Sequence, residues 1–419
     1  MTTIEIRNVG PIKEVPEITL NSVNVFMGPQ SSGKSTIAKI ISYCTWVEKD
    51  VATGQPLSYY EEKGRFKKLL ESFHKIKDYF RADSYIRYTS DTVEIVWENG
   101  VCRLQWVDRF AYRRSKIAYI PSERNMVILP EARRVEFGNT NVRSFLFDWF
   151  TAREKCSGLP ILNLGVSYYL STKEEDHIRG GEGDSKYDVL LSNASSGLQS
   201  LTPLLVMIEY LTKWVYEDES LSFEQNRRRQ DTIMALVEDF FLKKKRDQSS
   251  AILSSQEDMR LFFGELIKEK DPDMMKLLKD FSQHHAYLFK TNNSQFIIEE
   301  PEMNLFPETQ RDLVYHLLNK CLEREGNRLT ITTHSPYILY ALNNCMMAGL
   351  VYDKMDEESK GRLKCGTSKI SPSDVSIYEI QEGVVKRIQK EDGLIQDNYF
   401  DQQMGKLMDD FYLMLNYYP

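Results

Sequence analysis

The chain has 419 residues, a formal charge of −7, and a composition that is 42% apolar and 27% charged, enough for two or three compact units. The acidic balance excludes a surface that binds nucleic acid everywhere and leaves DNA only local basic patches. No run of about 18 or more apolar residues offers a membrane span, and six cysteines without C-x-x-C spacing read as ordinary reduced thiols with no assigned chemistry.

In chain order, MTTIEIRNVG enters at once into strand alternation at Ile4 and Ile6 with no basic and apolar leader, so cytoplasmic residence is expected. Two short strands, a third apolar strand over Ser22 to Met27, the glycine-rich stretch GPQSSGKST from Gly28 to Thr36 and a helix beginning near Lys34 follow. Phe66, Leu69, Leu70, Phe73, Ile76 and Phe80 recur at helical spacing. Glu98-Asn99-Gly100 is a hairpin turn between strands at Thr92 to Trp97 and Val101 to Trp106. Lys116 to Pro121 is a further strand, and 125–185 reads as helical and irregular sequence ending in a loop at Arg179 to Gly183.

Leu198 to Trp214 suits a buried helix. Residues 215–290 carry one glycine and one proline, with Ile233, Leu236, Val237, Phe240 and Phe241 on one face, which predicts a helical insertion. Strands at Gln295 to Ile298 and Arg328 to Thr332 enclose a helix over 308–324, restoring the alternation of a doubly wound sheet. The expected core is therefore α/β and built from the two ends of the chain. Met404, Leu407, Met408, Phe411 and Leu415 predict a terminal helix packed on that core, or alternatively a helix that docks a partner.

Gly28, Gly33, Lys34 and Ser35 complete G-x-x-x-x-G-K-S, with Pro29, Gln30, Ser31, Ser32 and Thr36 filling the loop. The glycines let backbone N–H groups turn toward phosphates, Lys34 reaches the β- and γ-phosphates, and the Ser35 hydroxyl ligates Mg²⁺. ATP and Mg²⁺ are the expected cofactors. Glu299 and Glu300 close an apolar strand at its carboxyl end, where open α/β sheets bind ligands. Glu299 is assigned to the metal, directly or through water, and Glu300 to the attacking water as general base or positioning group. His334, at the end of the next strand, is expected to face the γ-phosphate and the catalytic water, whereas His284 and His285 have no such setting. Ser195, Ser196 and Gly197 open the apolar helix as an anion-receptive N-terminus. Since the phosphates already have a cradle, that terminus is expected to meet the γ-phosphate of a second protomer.

With these residues in place, the sequence resembles the ATP-binding-cassette type of ATPase, in the branch shared by SMC/Rad50-like proteins and the OLD family. Glu299 to Pro307 (EEPEMNLFP) looks like that branch's Walker B and D-loop, and Thr332 to Pro336 (TTHSP) like its switch-histidine segment. KIAYIPSER (Lys116 to Arg124) is also similar. Two departures stand out: Ser122-Glu123 replaces the usual glutamine, and the signature reads SSGLQ, so either Ser195 or Ser196 is left to carry the trans contact.

The resemblance implies an ABC-ATPase-like P-loop NTPase core at 1–45, 116–124 and 295–385, a mixed α/β lobe at 46–115 and a signature-bearing helical lobe at 125–214. A helical insertion or short arm at 215–294 and a tail helix at 386–419 complete the expected organisation. It implies an ATP-sandwich homodimer or higher homo-oligomer. Residues 335–419 hold no acidic triad of the Toprim kind. The resemblance therefore points to the ATPase half of a split antiphage system of the PARIS or Septu type, with a separate effector, a Toprim or HNH nuclease. A DNA-repair or chromosome clamp using Arg227 to Arg229 and Lys243 to Arg246 is the alternative. A transporter subunit fits less well, given the insertion and the missing glutamine.

Overall fold

The computed structural model describes residues 1–129, 132, 138–217, 279, 287–288 and 290–418. The expected insertion at 215–294 therefore lies almost wholly outside the described residues, as do both basic runs, His284 and His285.

The chain opens with β1 (Thr2–Val9), β2 (Ile12–Leu20) and β3 (Val23–Met27), and α1 (Lys34–Ala52) follows the glycine-rich loop. Every residue of β3 is buried: Val23, Val25 and Met27 join one core while Phe26 joins the other, so the strand is covered on both faces. Next come α2 (Leu57–Glu61), α3 (Arg65–His74), β4 (Phe80–Thr89), β5 (Val93–Glu98), β6 (Val101–Trp106) and β7 (Ser115–Ile120). Asn99 and Gly100, with φ of 52° and 77°, form the hairpin turn read from the sequence. The helical spacing from Phe66 does not continue to Phe80. The helix stops where Lys75 turns left-handed at φ 54°, and Phe80 opens β4. Ile76 keeps the apparent period because it packs into the same core as Phe66 and Leu70.

Helix α4 (Asn141–Lys155) starts at the Thr140 cap, whose side chain accepts the Arg143 N–H. It leads into a four-stranded antiparallel sheet of β8 (Leu159–Pro160), β9 (Val166–Leu170), β10 (Asp176–Gly180) and β11 (Tyr187–Leu190). This sheet corrects the expectation of irregular sequence ending in a loop at Arg179 to Gly183. Arg179 and Gly180 are β10 residues paired with Asp188 and Tyr187. Then come α5 (Ser196–Lys213), β12 (Asn293–Glu299), α6 (Pro307–Cys321), β13 (Arg328–Thr333), α7 (Pro336–Val351), α8 (Glu357–Arg362), β14 (Val375–Gln381), β15 (Val384–Arg387) and α9 (Tyr399–Leu415).

One eleven-stranded mixed sheet runs β6-β5-β4-β1-β2-β15-β14-β3-β13-β12-β7. Strands β4 to β6 continue it through the β1–β4 antiparallel pair. From β14 to β7 every pairing is parallel, and the register sets Thr333 beside Met27, Glu299 beside Thr332, and Ile298 beside Ile120. The carboxyl ends of β3, β13, β12 and β7 therefore lie side by side. The fold is α/β, a large mixed sheet with helices on both faces around a P-loop.

The terminal helix exists and packs on the core only through its first turn, where Tyr399 and Phe400 are half-buried against it. An Asn398–Asp401 capping box fixes its start, while no residue of α9 is buried, and Leu407, Phe411 and Leu415 are among its exposed apolar side chains. The expected packing on the core holds for its first turn only; Met404, Leu407, Met408, Phe411 and Leu415 are exposed. Its helical period reports a face that needs covering and does not identify what covers it.

Candidate active site at the carboxyl edge of the sheet

The loop between β3 and α1 is shaped by backbone that side chains resist. Gly28 has φ 149° and Gly33 φ 105°, and a Cβ on Gly28 would lie 2.5 Å from the Ile380 carbonyl oxygen. Ser31, at φ 60°, is also left-handed. Gly33 occupies the N-cap of α1 without a side-chain cap, and the first turn holds no acidic residue, so its amides are available to an anion. Gln30 and Ser31 are exposed, Pro29 and Ser35 are half-buried, and Ser32, Lys34 and Thr36 are buried.

The Lys34 ammonium donates to Gly28 O at 2.9 Å and Pro29 O at 2.7 Å, folding back into its own loop. Burial lowers its pKa to about 8, against the opposing pull of Glu300 and Glu302. That pull brings both carboxylates into the electrostatic reach of the lysine.

Glu299 is 4% exposed, and its Oε1 has no hydrogen-bond partner; Oε2 accepts only a long, 3.4 Å contact from Ser122 N–H. An orphaned buried carboxylate oxygen beside a phosphate loop fits a magnesium ion, which takes one or two carboxylates and completes its shell with phosphate oxygens and water. Among the described residues no group of three or more His, Cys, Asp or Glu side chains could hold a metal by itself, and such a magnesium site requires none. Where cassette ATPases place a glutamine, the peptide N–H of Ser122 reaches Glu299, and the Glu123 side chain is exposed.

Glu300 leaves the strand at φ 43°, so its side chain diverges from that of Glu299. Its Oε1 lies 3.0 Å from His334 Nε2, and this hydrogen bond, chiefly, holds the Glu300 carboxyl below its usual range. The two side chains retain 33% and 29% exposure, so both are open to a substrate. His334 is held in turn by Glu302, a residue to which the sequence reading gave no role. Glu302 Oε1 accepts from His334 N–H at 2.6 Å and from the Thr333 hydroxyl at 2.7 Å, and burial pushes its pKa up. The signal was present, since Glu302 is the last acid of EEPE.

Arg124 was also missed. It is fully buried, and its guanidinium donates to Glu299 O and Glu300 O, both at 2.8 Å, to Ser200 O at 3.0 Å, and more weakly to Pro121 O and Pro301 O. Burial lowers its pKa to about 10, opposed by Glu302, Glu300 and Glu299. One side chain thus ties the strand end carrying both glutamates to helix α5.

At the start of α5, Ser195 is the N-cap by position, but its hydroxyl bonds nothing in the first turn, and both Ser195 and Ser196 are exposed. Gly197 permits close approach to the turn after β12: a Cβ there would lie 3.0 Å from Asn304 O, and Asn304 also donates to Ser200 Oγ at 2.8 Å. The structure therefore gathers Gly28 to Thr36, Glu299, Glu300 and His334 at one edge. It presents Ser195 and Ser196 outward, with no hydrogen bond to that loop among the described residues.

No protein-family profile matches the chain, and no curated protein matches it. Among solved structures it is similar to the SMC head domain from Thermotoga maritima, at 11% identity, 93% coverage of this chain, 98% of that chain and a TM-score of 0.37. It is also similar to the ATP-analogue-bound recombination mediator RecF, at 12% identity, 92% and 97% coverage and a TM-score of 0.27. A third is the ATP-binding cassette MJ0796 in a dimeric post-hydrolysis state with ADP and Pi, at 11% identity, 92% and 99% coverage and a TM-score of 0.26. At such identities and scores, the functional assignment rests on this chain's own residues.

Proposed function

We propose that the chain is an ATP hydrolase of the ATP-binding-cassette type that closes around ATP with a second copy of itself. The observation that carries this reading is the side-by-side placement of the lysine loop, the Glu299-Glu300 strand end and His334 on adjacent parallel strands.

The loop amides and the α1 N-terminus bind the phosphates, and Lys34 exchanges its loop carbonyls for phosphate oxygens. Ser35 and Glu299 would hold a magnesium ion, which would offset the negative charge of the phosphates. Glu300 is ionised at neutral pH and oriented by His334, so its carboxylate accepts a hydrogen bond from the attacking water and takes its proton as the bond to the γ-phosphorus forms and the bond to the β,γ-bridging oxygen breaks, releasing ADP and phosphate. The outward Ser195-Ser196 start of α5 supplies amides and hydroxyls to the γ-phosphate of the other copy, making hydrolysis competent only in the closed pair.

The pair acts as a switch on a separate effector, a Toprim or HNH nuclease, in antiphage defence. The resemblance of EEPE and TTHSP to the OLD branch supports this reading, and the exposed apolar side chains of α9 from Met404 onward offer a place for the effector to dock. The test is to isolate tagged Glu300→Gln protein with ATP and Mg²⁺ from its host. Stoichiometric recovery of a nuclease, lost when α9 is deleted, supports the switch. Recovery of DNA alone points to a clamp instead.

A further inference from the structure

A cavity of about 500 Å³ lies away from the loop, between α1, α3, the edge strand β7 and the start of α4. That volume suits a ligand of nucleoside-monophosphate size. Its walls are largely aromatic: Trp46 from α1, Phe73 from α3 and Phe147 from α4 line it, and Trp46 and Phe147 remain 40% and 60% exposed.

Two polar side chains on its wall have no hydrogen-bond partner among the described residues. Ser42 is 3% exposed and Asn141 4% exposed, both line the cavity, and neither side chain makes a hydrogen bond among the described residues. Buried hydroxyls and carboxamides are almost always bonded, so these two are aimed at what the cavity receives. Asn141 offers both a donor and an acceptor, the edge pattern of a heterocycle. At the rim, the exposed Arg143 guanidinium stands 5.3 Å over the Phe147 ring, with no carboxylate partner among the described residues. A cation there, beside flat aromatic walls, selects a planar ring bearing an anionic group.

The inner wall leads to the ATP site. The Tyr119 ring lines the cavity, while its hydroxyl is buried beside Glu299, interacting with that carboxylate without completing a hydrogen bond of ordinary geometry. Ser42 and Trp46 lie on α1, the helix that begins at Lys34.

We propose that this cavity binds a planar heteroaromatic ligand with an anionic substituent, of nucleoside-monophosphate class, and that its occupancy tunes the ATP site through Tyr119 and α1. The binding half stands on the cavity alone; the tuning half rests on the ATPase reading.

Lys34→Ala protein, disabled at the phosphate loop, is titrated with AMP, GMP, CMP and UMP by calorimetry, with tryptophan fluorescence reporting on Trp46. The expected result is one-to-one binding of at least one of them, weakened by about tenfold or more in Arg143→Glu and lost in Ser72→Trp, which fills the rim. Thermal melting confirms that each variant is folded. If none binds at millimolar concentration, or if binding ignores both substitutions, the site is overturned. With Lys34 intact, the bound nucleotide should change ATP affinity or turnover by about fivefold, and Tyr119→Phe should keep its binding while losing that effect. An unchanged response in Tyr119→Phe overturns the route through Tyr119. The Lys34→Ala arm is decided whether or not the chain hydrolyses ATP, so the two readings fail separately.

Discussion

Replacing Arg124 with methionine keeps most of the buried volume and removes every donor from a cluster of carbonyls. Three of its contacts, to Glu299 O, Glu300 O and Ser200 O, are 3.0 Å or shorter. Hydrogen bonds from a charged donor contribute about 1.5–3 kcal/mol each, and the cost of burying the guanidinium offsets several kcal/mol of that sum. The net loss is about 3–5 kcal/mol, in line with breaking a buried charged network. A chain of this length loses about 1 °C of Tm per kcal/mol, so Tm should fall by about 4 °C in differential scanning fluorimetry. Freed carbonyls at Glu299 and Glu300 let both carboxylates drift, which should lower ATP turnover by about 100-fold. Affinity for ATP should change little, since the lysine loop is untouched. Arg124→Lys should not rescue turnover, because one ammonium cannot span carbonyls on β12 and α5. A variant within about 1 °C and twofold of the parent would refute this account of Arg124.

Lys34 is poised to take up a proton when phosphates arrive: its free-state pKa is about 8, lowered by burial, and an anion favours the charged form. ATP affinity should be flat below pH 8 and fall by up to about tenfold per pH unit above it, with calorimetry in buffers of different ionisation heat showing proton uptake. Gly28→Ala places a methyl group 2.5 Å from the Ile380 carbonyl, a clash with backbone, and should abolish ATP binding measured with a fluorescent analogue. Removing residues 404–419 should leave ATP turnover within about twofold, since Met404 and the apolar side chains beyond it on α9 are exposed, while abolishing effector capture; loss of both would show that this part of α9 is structural.

Local chemistry made the candidate site legible. A lysine loop between a strand and a helix, two acids ending an apolar run, and a histidine ending another are each read over a few residues, and the parallel register does the rest. Partner choice at a distance was not legible. Nothing in Phe80 to Trp106 says that β4 pairs with β1, and the strands at 159–190 span only two to five residues each, too short for alternation to register. Arg124 was hidden because an arginine is expected at the surface; the one clue is its place directly after the buried strand and Pro121. For α9 the periodicity gave the helix and its apolar face, while exposure depends on what the rest of the chain leaves uncovered.

In the proposed mechanism Glu300 drives hydrolysis of ATP held between two copies of the chain. Light scattering coupled to size exclusion, run on Glu300→Gln protein with ATP and Mg²⁺ alongside a phosphate-release assay, tests it most directly. Tight ATP binding, turnover reduced by about 1,000-fold or more, and a dimer that reverts to monomer when Lys34→Ala is added are the expected results. Normal turnover, or a monomer with ATP bound, would contradict it.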